Sequence, residues 1–150
     1  MKECLICREQ YVNNPYVIHE TENIIVKHGP LTVPVKGYFC IQFKRHVENW
    51  SNLTFEELSE HIFALKTLDK FLHVSIKADR VYSVTISEVV RHLHTHVIPR
   101  NEDSKLKGLD LIKQVTTSKA HESEMLNKTE IIRFLDQAKS FFKEESNITK

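Results

Sequence analysis

The sequence lacks several things, and each absence narrows what the chain can be. No apolar run approaches the roughly 18 residues that a membrane-spanning helix needs. Neither sign of charge dominates: 21 Lys and Arg stand against 20 Asp and Glu. That balance supplies no broad field for a nucleic-acid polymer or an anionic membrane, so an anionic substrate must be met by local groups. Cysteine is sparse and odd in number (Cys4, Cys7 and Cys40), which does not describe a secreted disulfide framework. The start, Met1-Lys2-Glu3-Cys4, carries no signal-peptide core, so the expected location is the cytoplasm. There is no internal repeat, low-complexity tract or linker. A single domain over residues 1–150 is expected, with 41% apolar residues to build its core.

Histidine, by contrast, is plentiful, with nine in 150 residues. Three of them fall at alternate positions in His92-Leu93-His94-Thr95-His96-Val97-Ile98-Pro99-Arg100. In a strand, residues i, i+2 and i+4 share a face at about 3.3 Å rise per residue. The spacing predicts one row of imidazoles on a strand running from Val89 to Ile98. Three like charges on one face would repel, so most of the row should be neutral near pH 7.

The rest of the chain reads as mixed α and β. Residues Tyr16 to Lys27 suggest two short strands around a polar turn, and Gly37 to Phe43 a third. Thr54-Phe55-Glu56-Glu57 has the form of a capping box. The apolar stripe Phe55, Leu58, Ile62, Leu65, Leu68, Leu72 then predicts an amphipathic helix over about 55–74. His19, His28, His61 and His73 are expected at the surface or in turns. Val81 to Ile86 should be a strand, Gly108 to Val115 a short helix or strand, and Thr116 to Asn127 irregular. Asn127 caps a last helix ending near Lys143, with a frayed tail beyond it.

Cys4-Leu5-Ile6-Cys7 has three readings. A redox pair would follow a strand inside a βαβ unit, and nothing precedes it here. Half of a zinc site has the right spacing but needs two further ligands. Two incidental cysteines remain the alternative. His46, in Lys44-Arg45-His46-Val47, reads either as part of a solvated bend or as a metal ligand.

The stretch His92 to Arg100 resembles the His-φ-His-φ-His-φ-φ motif of the histidine triad nucleotide hydrolases and transferases, with Thr95 in an apolar slot. Gly37 to Val47 resembles the family's early strand ending in a basic residue and His. Cys4-x-x-Cys7 sits where many bacterial members carry a zinc-binding pair. The likeness covers about residues 4–100. It implies an α+β fold: a five-stranded antiparallel sheet with a main helix, here followed by a C-terminal helix, and a homodimer. It also implies a structural zinc on Cys4, Cys7, His46 and His92, since four protein ligands leave no open position.

The same resemblance implies the chemistry. His94 would be the nucleophile toward the α-phosphorus of a nucleotide, forming a covalent nucleotidyl-histidine. His96 would donate to phosphoryl or leaving-group oxygen, and His92 would orient the row. The substrate would be a dinucleoside polyphosphate or a nucleoside phosphoramidate. Ser87 could offer a hydroxyl to it. Arg100 either adds charge near the phosphates or caps the strand end.

Three positions depart from the family pattern: Tyr38 replaces a histidine, Ser87-Glu88 replaces Gly-Gln, and Pro30 stands near a ribose-contacting acid or amide. These departures motivate a second reading, a zinc-stabilised nucleotide-binding or interaction protein with little catalysis. A third needs no family: His92, His94 and His96 as a three-histidine metal site with an open position.

Overall fold

The computed structural model describes residues 4–117 and 124–149. Five strands form one antiparallel sheet: β1 (Val17–Glu20), β2 (Ile24–His28), β3 (Phe39–Phe43), β4 (Arg80–Val84) and β5 (His94–Arg100). Their spatial order is β1-β2-β3-β5-β4. The helices are α1 (Leu5–Glu9), α2 (Phe55–Ser75), α3 (Gly108–Thr117) and α4 (Lys128–Ile148). Among the described residues, no helix is long and apolar enough to cross a membrane.

Strand parity divides the sheet into two faces. Phe39, Ile41 and Phe43 of β3, with Val97 of β5, pack beneath α2 and α4 against Leu68, Phe71, Leu72, Phe134, Leu135 and Phe142. The opposite face carries Tyr38, Cys40 and Ile98, and α3 covers that end through Leu111 and Val115. Register places Gln42 opposite His94 and Cys40 opposite His96, so these four share the face away from α2.

The capping box forms as the sequence predicts. The Glu57 backbone N–H donates to Thr54 Oγ1 at 3.2 Å, and the Thr54 N–H donates to Glu57 Oε2 at 2.8 Å. The buried stripe of α2 is rotated from the expected one, however. It runs through Glu57, His61, Ala64, Leu68, Phe71 and Leu72, whereas Phe55 and Ile62 are exposed. Two polar residues can take core positions because each has a distant partner: Arg45 grips Glu57 through Nε and Nη2 at 2.9 and 2.8 Å, and Thr95 meets His61.

Other expectations need correction. His28 is buried: its Nδ1 lies 2.8 Å from the Gly29 carbonyl, and its Nε2 accepts from the Gly37 N–H at 3.0 Å, closing the 29–37 loop. The CxxC segment, to which the sequence reading assigns no secondary structure, opens a short helix with Cys4 at its N-cap position. The last helix continues past Lys143 to Ile148, where Glu145 pairs with Lys70 of α2. Of the stretch expected to be irregular, Thr116 and Thr117 end α3, and residues 118–123 lie outside the described residues.

β5 begins at His94 and not at Val89. The preceding loop breaks the ladder: Val89 is almost fully exposed, the His92 N–H donates to Val90 O at 2.8 Å, and the Leu93 N–H donates to Val47 O at 2.7 Å. His92 therefore stands outside the strand that carries the other two histidines.

Candidate functional site

α1 is only five residues long, but it brings Cys4 and Cys7 against the end of the sheet. Arg45, held by Glu57 at the start of α2, fixes the bend that carries His46. His92 is fully buried, and its ring turns toward the cysteines. Its Nδ1 lies 3.4 Å from both Cys4 Sγ and Cys7 Sγ, and His46 Nδ1 lies 3.5 Å from Cys7 Sγ. The ligand atoms of all four residues fall within 4.8 Å of one another. Tetrahedral zinc with its usual bond lengths would separate sulfur and nitrogen ligands by about 3.6 Å, so the set fits such an ion. The second nitrogen of His92 lies 2.7 Å from the Phe43 carbonyl, the outer-shell contact that fixes a ligating imidazole. Gln10 Nε2 donates to the same carbonyl at 3.0 Å and ties α1 to β3.

This geometry separates His92 from the other two histidines. Among the described residues, the potential metal ligands around His92 are Cys4, Cys7 and His46. A metal site built on His92, His94 and His96 together does not form, because His92 points elsewhere.

His94 and His96 remain a pair on β5, their rings 4.9 Å apart at 75°. Nδ1 of His94 lies 2.6 Å from the carbonyl of His92. A carbonyl only accepts, so Nδ1 carries the proton, and in the neutral ring Nε2 keeps its lone pair. His96 Nδ1 lies 2.7 Å from the Tyr38 hydroxyl. Burial, with the His94 imidazole alongside, pushes the pKa of His96 down to about 4. Burial also lowers that of His92, against the opposing pull of the Phe43 carbonyl. Both rings are therefore neutral near pH 7.

Ser87 lies at the edge of this pair. Its Oγ donates to the His92 carbonyl at 3.3 Å and stands 3.5 Å from His94 Nδ1. Its φ of 52° is left-handed, an unfavourable region for a residue with a Cβ. Arg100 is not brought to the pair. It ion-pairs with Asp79, four residues and about 13 Å of strand beyond His96.

Several residues at the site carried no warning in the sequence. Gln42 is one polar residue in an apolar strand. It is 6% exposed, makes no side-chain hydrogen bond among the described residues, and borders a cavity of about 300 Å³ with Gln10, Asn13, Asn14 and Lys27. Lys27 is neutralised there by Glu9 at 2.8 Å. The sequence signal available for Gln42 was only a lone amide within an apolar run. Gly29 is another: a Cβ there would fall 2.1 Å from Cδ1 of Tyr38, so the Tyr38 ring occupies its side-chain space.

A family model described as the HIT domain matches residues 21–103. A Zn-bound histidine triad family protein from Mycobacterium smegmatis aligns with a TM-score of 0.67 at 18% identity, covering 94% of this chain and 96% of its own. A hypothetical histidine triad nucleotide-binding protein from Sulfolobus tokodaii gives 0.64 at 20% identity, covering 97% and 93%. Diadenosine triphosphate hydrolase of Plasmodium falciparum, in complex with cyclomarin A, gives 0.61 at 13% identity, covering 89% and 80%. No curated protein matches the chain. At these identities the likeness to solved structures is one of fold.

Proposed function

The chain belongs to the HIT domain family, and from that premise we propose that it is a nucleotidyl hydrolase or transferase acting on the α-phosphate of a nucleotide. The observation that carries this reading is the 2.6 Å contact between His94 Nδ1 and the His92 carbonyl. In the neutral imidazole it places the proton on Nδ1 and leaves the Nε2 lone pair free to act as the nucleophile.

In the proposed reaction, Nε2 of His94 forms a bond to the α-phosphorus. The bond from phosphorus to the leaving group breaks, and its electron pair stays on the departing atom. Water, or another acceptor hydroxyl, then attacks the phosphorus of the nucleotidyl-histidine; the P–Nε2 bond breaks with its electron pair returning to Nε2, and the attacking hydroxyl releases its proton to solvent, which restores His94. His96 donates a hydrogen bond to developing negative charge. Ser87 steadies the His92 carbonyl that orients His94. Arg100 acts as the cap of β5 through Asp79, the second of the two roles open to it.

We assign Cys4, Cys7, His46 and His92 as ligands of a structural zinc. When bound, such an ion supplies a cross-link between α1, the bend before α2 and the start of β5, and no open coordination position. The proposal extends to one HIT-like domain over residues 1–150, a homodimer, and a cytoplasmic setting. The substrates in view are a dinucleoside polyphosphate and a nucleoside phosphoramidate.

Rapid quenching with substrate labelled at the α-phosphate tests the reading. Label should appear transiently on His94, and His94→Ala should abolish both label and turnover. Full turnover by His94→Ala on every accepted substrate would overturn it. Nucleotide binding by calorimetry with no product from the wild type would favour the second reading, a zinc-stabilised nucleotide-binding protein. The observation behind that alternative is the Tyr38 ring, which fills the space beside Gly29.

A further inference from the structure

We propose that Cys40 and Tyr38 form an ordered hydrogen-bond relay that locks His96 as its Nε2–H tautomer. This makes His96 a neutral donor and turns the site toward phosphoanhydride rather than phosphoramidate substrates. The tautomer stands on its own geometry; its consequence for substrate rests on the function proposed above.

Two buried groups and the half-buried His96 imidazole form the relay. The Tyr38 hydroxyl lies 2.7 Å from His96 Nδ1. Cys40 Sγ donates to that hydroxyl at 3.2 Å and lies 3.7 Å from His96 Nδ1. Tyr38 is 4% and Cys40 7% exposed, so water does not readily substitute for either partner. Cys40 and His96 are register partners across β3 and β5, which fixes the distance between them.

The number of protons decides the order. Suppose Nδ1 held the proton of a neutral His96. It would donate to the phenol oxygen, as would the thiol, and the phenol proton would face only sulfur, a weak acceptor. Place the proton on Nε2 instead and every group pairs. The thiol donates to the phenol oxygen, the phenol donates to Nδ1, and no buried donor is stranded. Burial keeps all three groups in their neutral forms: it raises the Cys40 thiol to about 11, raises the Tyr38 phenol, and lowers His96.

The phenol cannot drift from this position. Its ring lies against the backbone of Gly29, where even a Cβ would overlap it at 2.1 Å. The Gly29 N–H also donates to the Tyr38 carbonyl at 2.8 Å. Tyr38 is thus a positioning residue, acting on substrate through His96.

A neutral Nε2–H stabilises charge but does not surrender its proton readily. When a phosphoanhydride bond breaks, the electron pair stays on a phosphate oxygen that is stable as an anion. A phosphoramidate must lose an amine, and that nitrogen needs a proton to depart. The relay supplies none.

Nitrogen-15 NMR of the labelled, zinc-loaded full chain tests the tautomer without any turnover. At pH 7, His96 should show a protonated Nε2 and an unprotonated Nδ1. Tyr38→Phe, which keeps the ring and removes only the hydroxyl, should shift both resonances toward a tautomer average. A protonated Nδ1 in the wild type, or unchanged shifts in Tyr38→Phe, overturns the relay.

Kinetics on diadenosine triphosphate and adenosine 5′-phosphoramidate test its consequence. The wild type should turn over the anhydride at least tenfold faster, and Tyr38→Phe should lower its kcat about tenfold with KM changed less than twofold. Faster turnover of the phosphoramidate overturns the substrate assignment. No turnover of either substrate overturns the proposed function and that assignment together, while the NMR result still decides the tautomer.

Discussion

Nε2 of His61 on α2 lies 2.9 Å from the hydroxyl of Thr95, on the face of β5 opposite His94 and His96. This contact accounts for the threonine in an otherwise apolar slot of the histidine motif. Thr95 Oγ1 also lies 3.0 Å from Thr85 Oγ1, which ties the helix and the strand to the start of the loop that carries Ser87. The His61 ring stacks on Phe43 at 5.5 Å and meets Trp50 edge-on at 5.1 Å. Helix, sheet and site loop therefore meet at one buried imidazole.

That burial predicts a pH-dependent stability. Desolvation pushes the pKa of His61 from 6.5 down to about 4. Between those values the unfolded chain binds a proton that the folded chain refuses, so stability falls as pH falls. The contribution is complete above pH 6.5, and at pH 5 about 2 kcal/mol should have been lost. Urea unfolding at pH 7 and pH 5 checks this on the zinc-loaded protein, with the double variant His61→Phe, Thr95→Val as reference. The reference should lose less on acidification by about 2 kcal/mol; an equal loss in both proteins contradicts the assignment to His61.

Parity alone put His94 and His96 on one face, and Thr54 and Glu57 marked the start of α2, because those relationships are local. The phase of α2 was not legible. Phe55 and Ile62 belong to the apolar stripe yet face outward, while Glu57 and His61 face inward, and only Arg45 and Thr95, distant in sequence, make that tolerable. His92 keeps the alternation of the motif but leaves the strand, because the loop's bonds to Val90 and Val47 outweigh the local pattern. Its partners Cys4 and Cys7 lie more than eighty residues away.

The four-ligand cluster predicts one zinc per chain in purified protein, measured by elemental analysis. Cys4→Ser should lose the metal. Removing zinc by a strong chelator should lower stability by about 4 kcal/mol if the site is held near a thousandfold saturation. For a chain of this size that is a drop of roughly 10 °C in melting temperature. Unchanged metal content in Cys4→Ser, or unchanged melting after chelation, would remove the structural role assigned to the ion.

Ser87 allows backbone strain and hydroxyl chemistry to be separated. Its φ of 52° favours glycine, and its Oγ contacts the His92 carbonyl and approaches His94. Ser87→Ala keeps the strain and loses the hydroxyl, whereas Ser87→Gly loses both. Both variants should reduce turnover by a similar factor, about three- to tenfold for one weakened hydrogen bond. Their stabilities should differ, with Ser87→Gly the more stable by about 1 kcal/mol. Equal stability of the two variants would show that the left-handed conformation is not held at this position, and unaltered turnover would free His94 of any dependence on Ser87.

Gly29 and Tyr38 should behave as a single unit. A methyl group at residue 29 would enter the Tyr38 ring, with 2.1 and 2.2 Å to Cδ1 and Cε1. The ring cannot simply swing away, because its hydroxyl is bonded to His96 and its face is buried. Gly29→Ala should therefore destabilise the fold by about 1–3 kcal/mol, the usual range for an overpacked core. Adding Tyr38→Phe should not relieve the clash, since the same ring atoms remain. Adding Tyr38→Leu, which removes the ring, should leave the Gly29→Ala change costing much less in that background. The interaction energy from the cycle Gly29→Ala with Tyr38→Leu should then be about 1–2 kcal/mol in magnitude, and that from the cycle with Tyr38→Phe close to zero. Denaturant unfolding of the six proteins distinguishes these outcomes. Strict additivity in the leucine cycle would mean that residue 29 is glycine for a reason other than the Tyr38 ring.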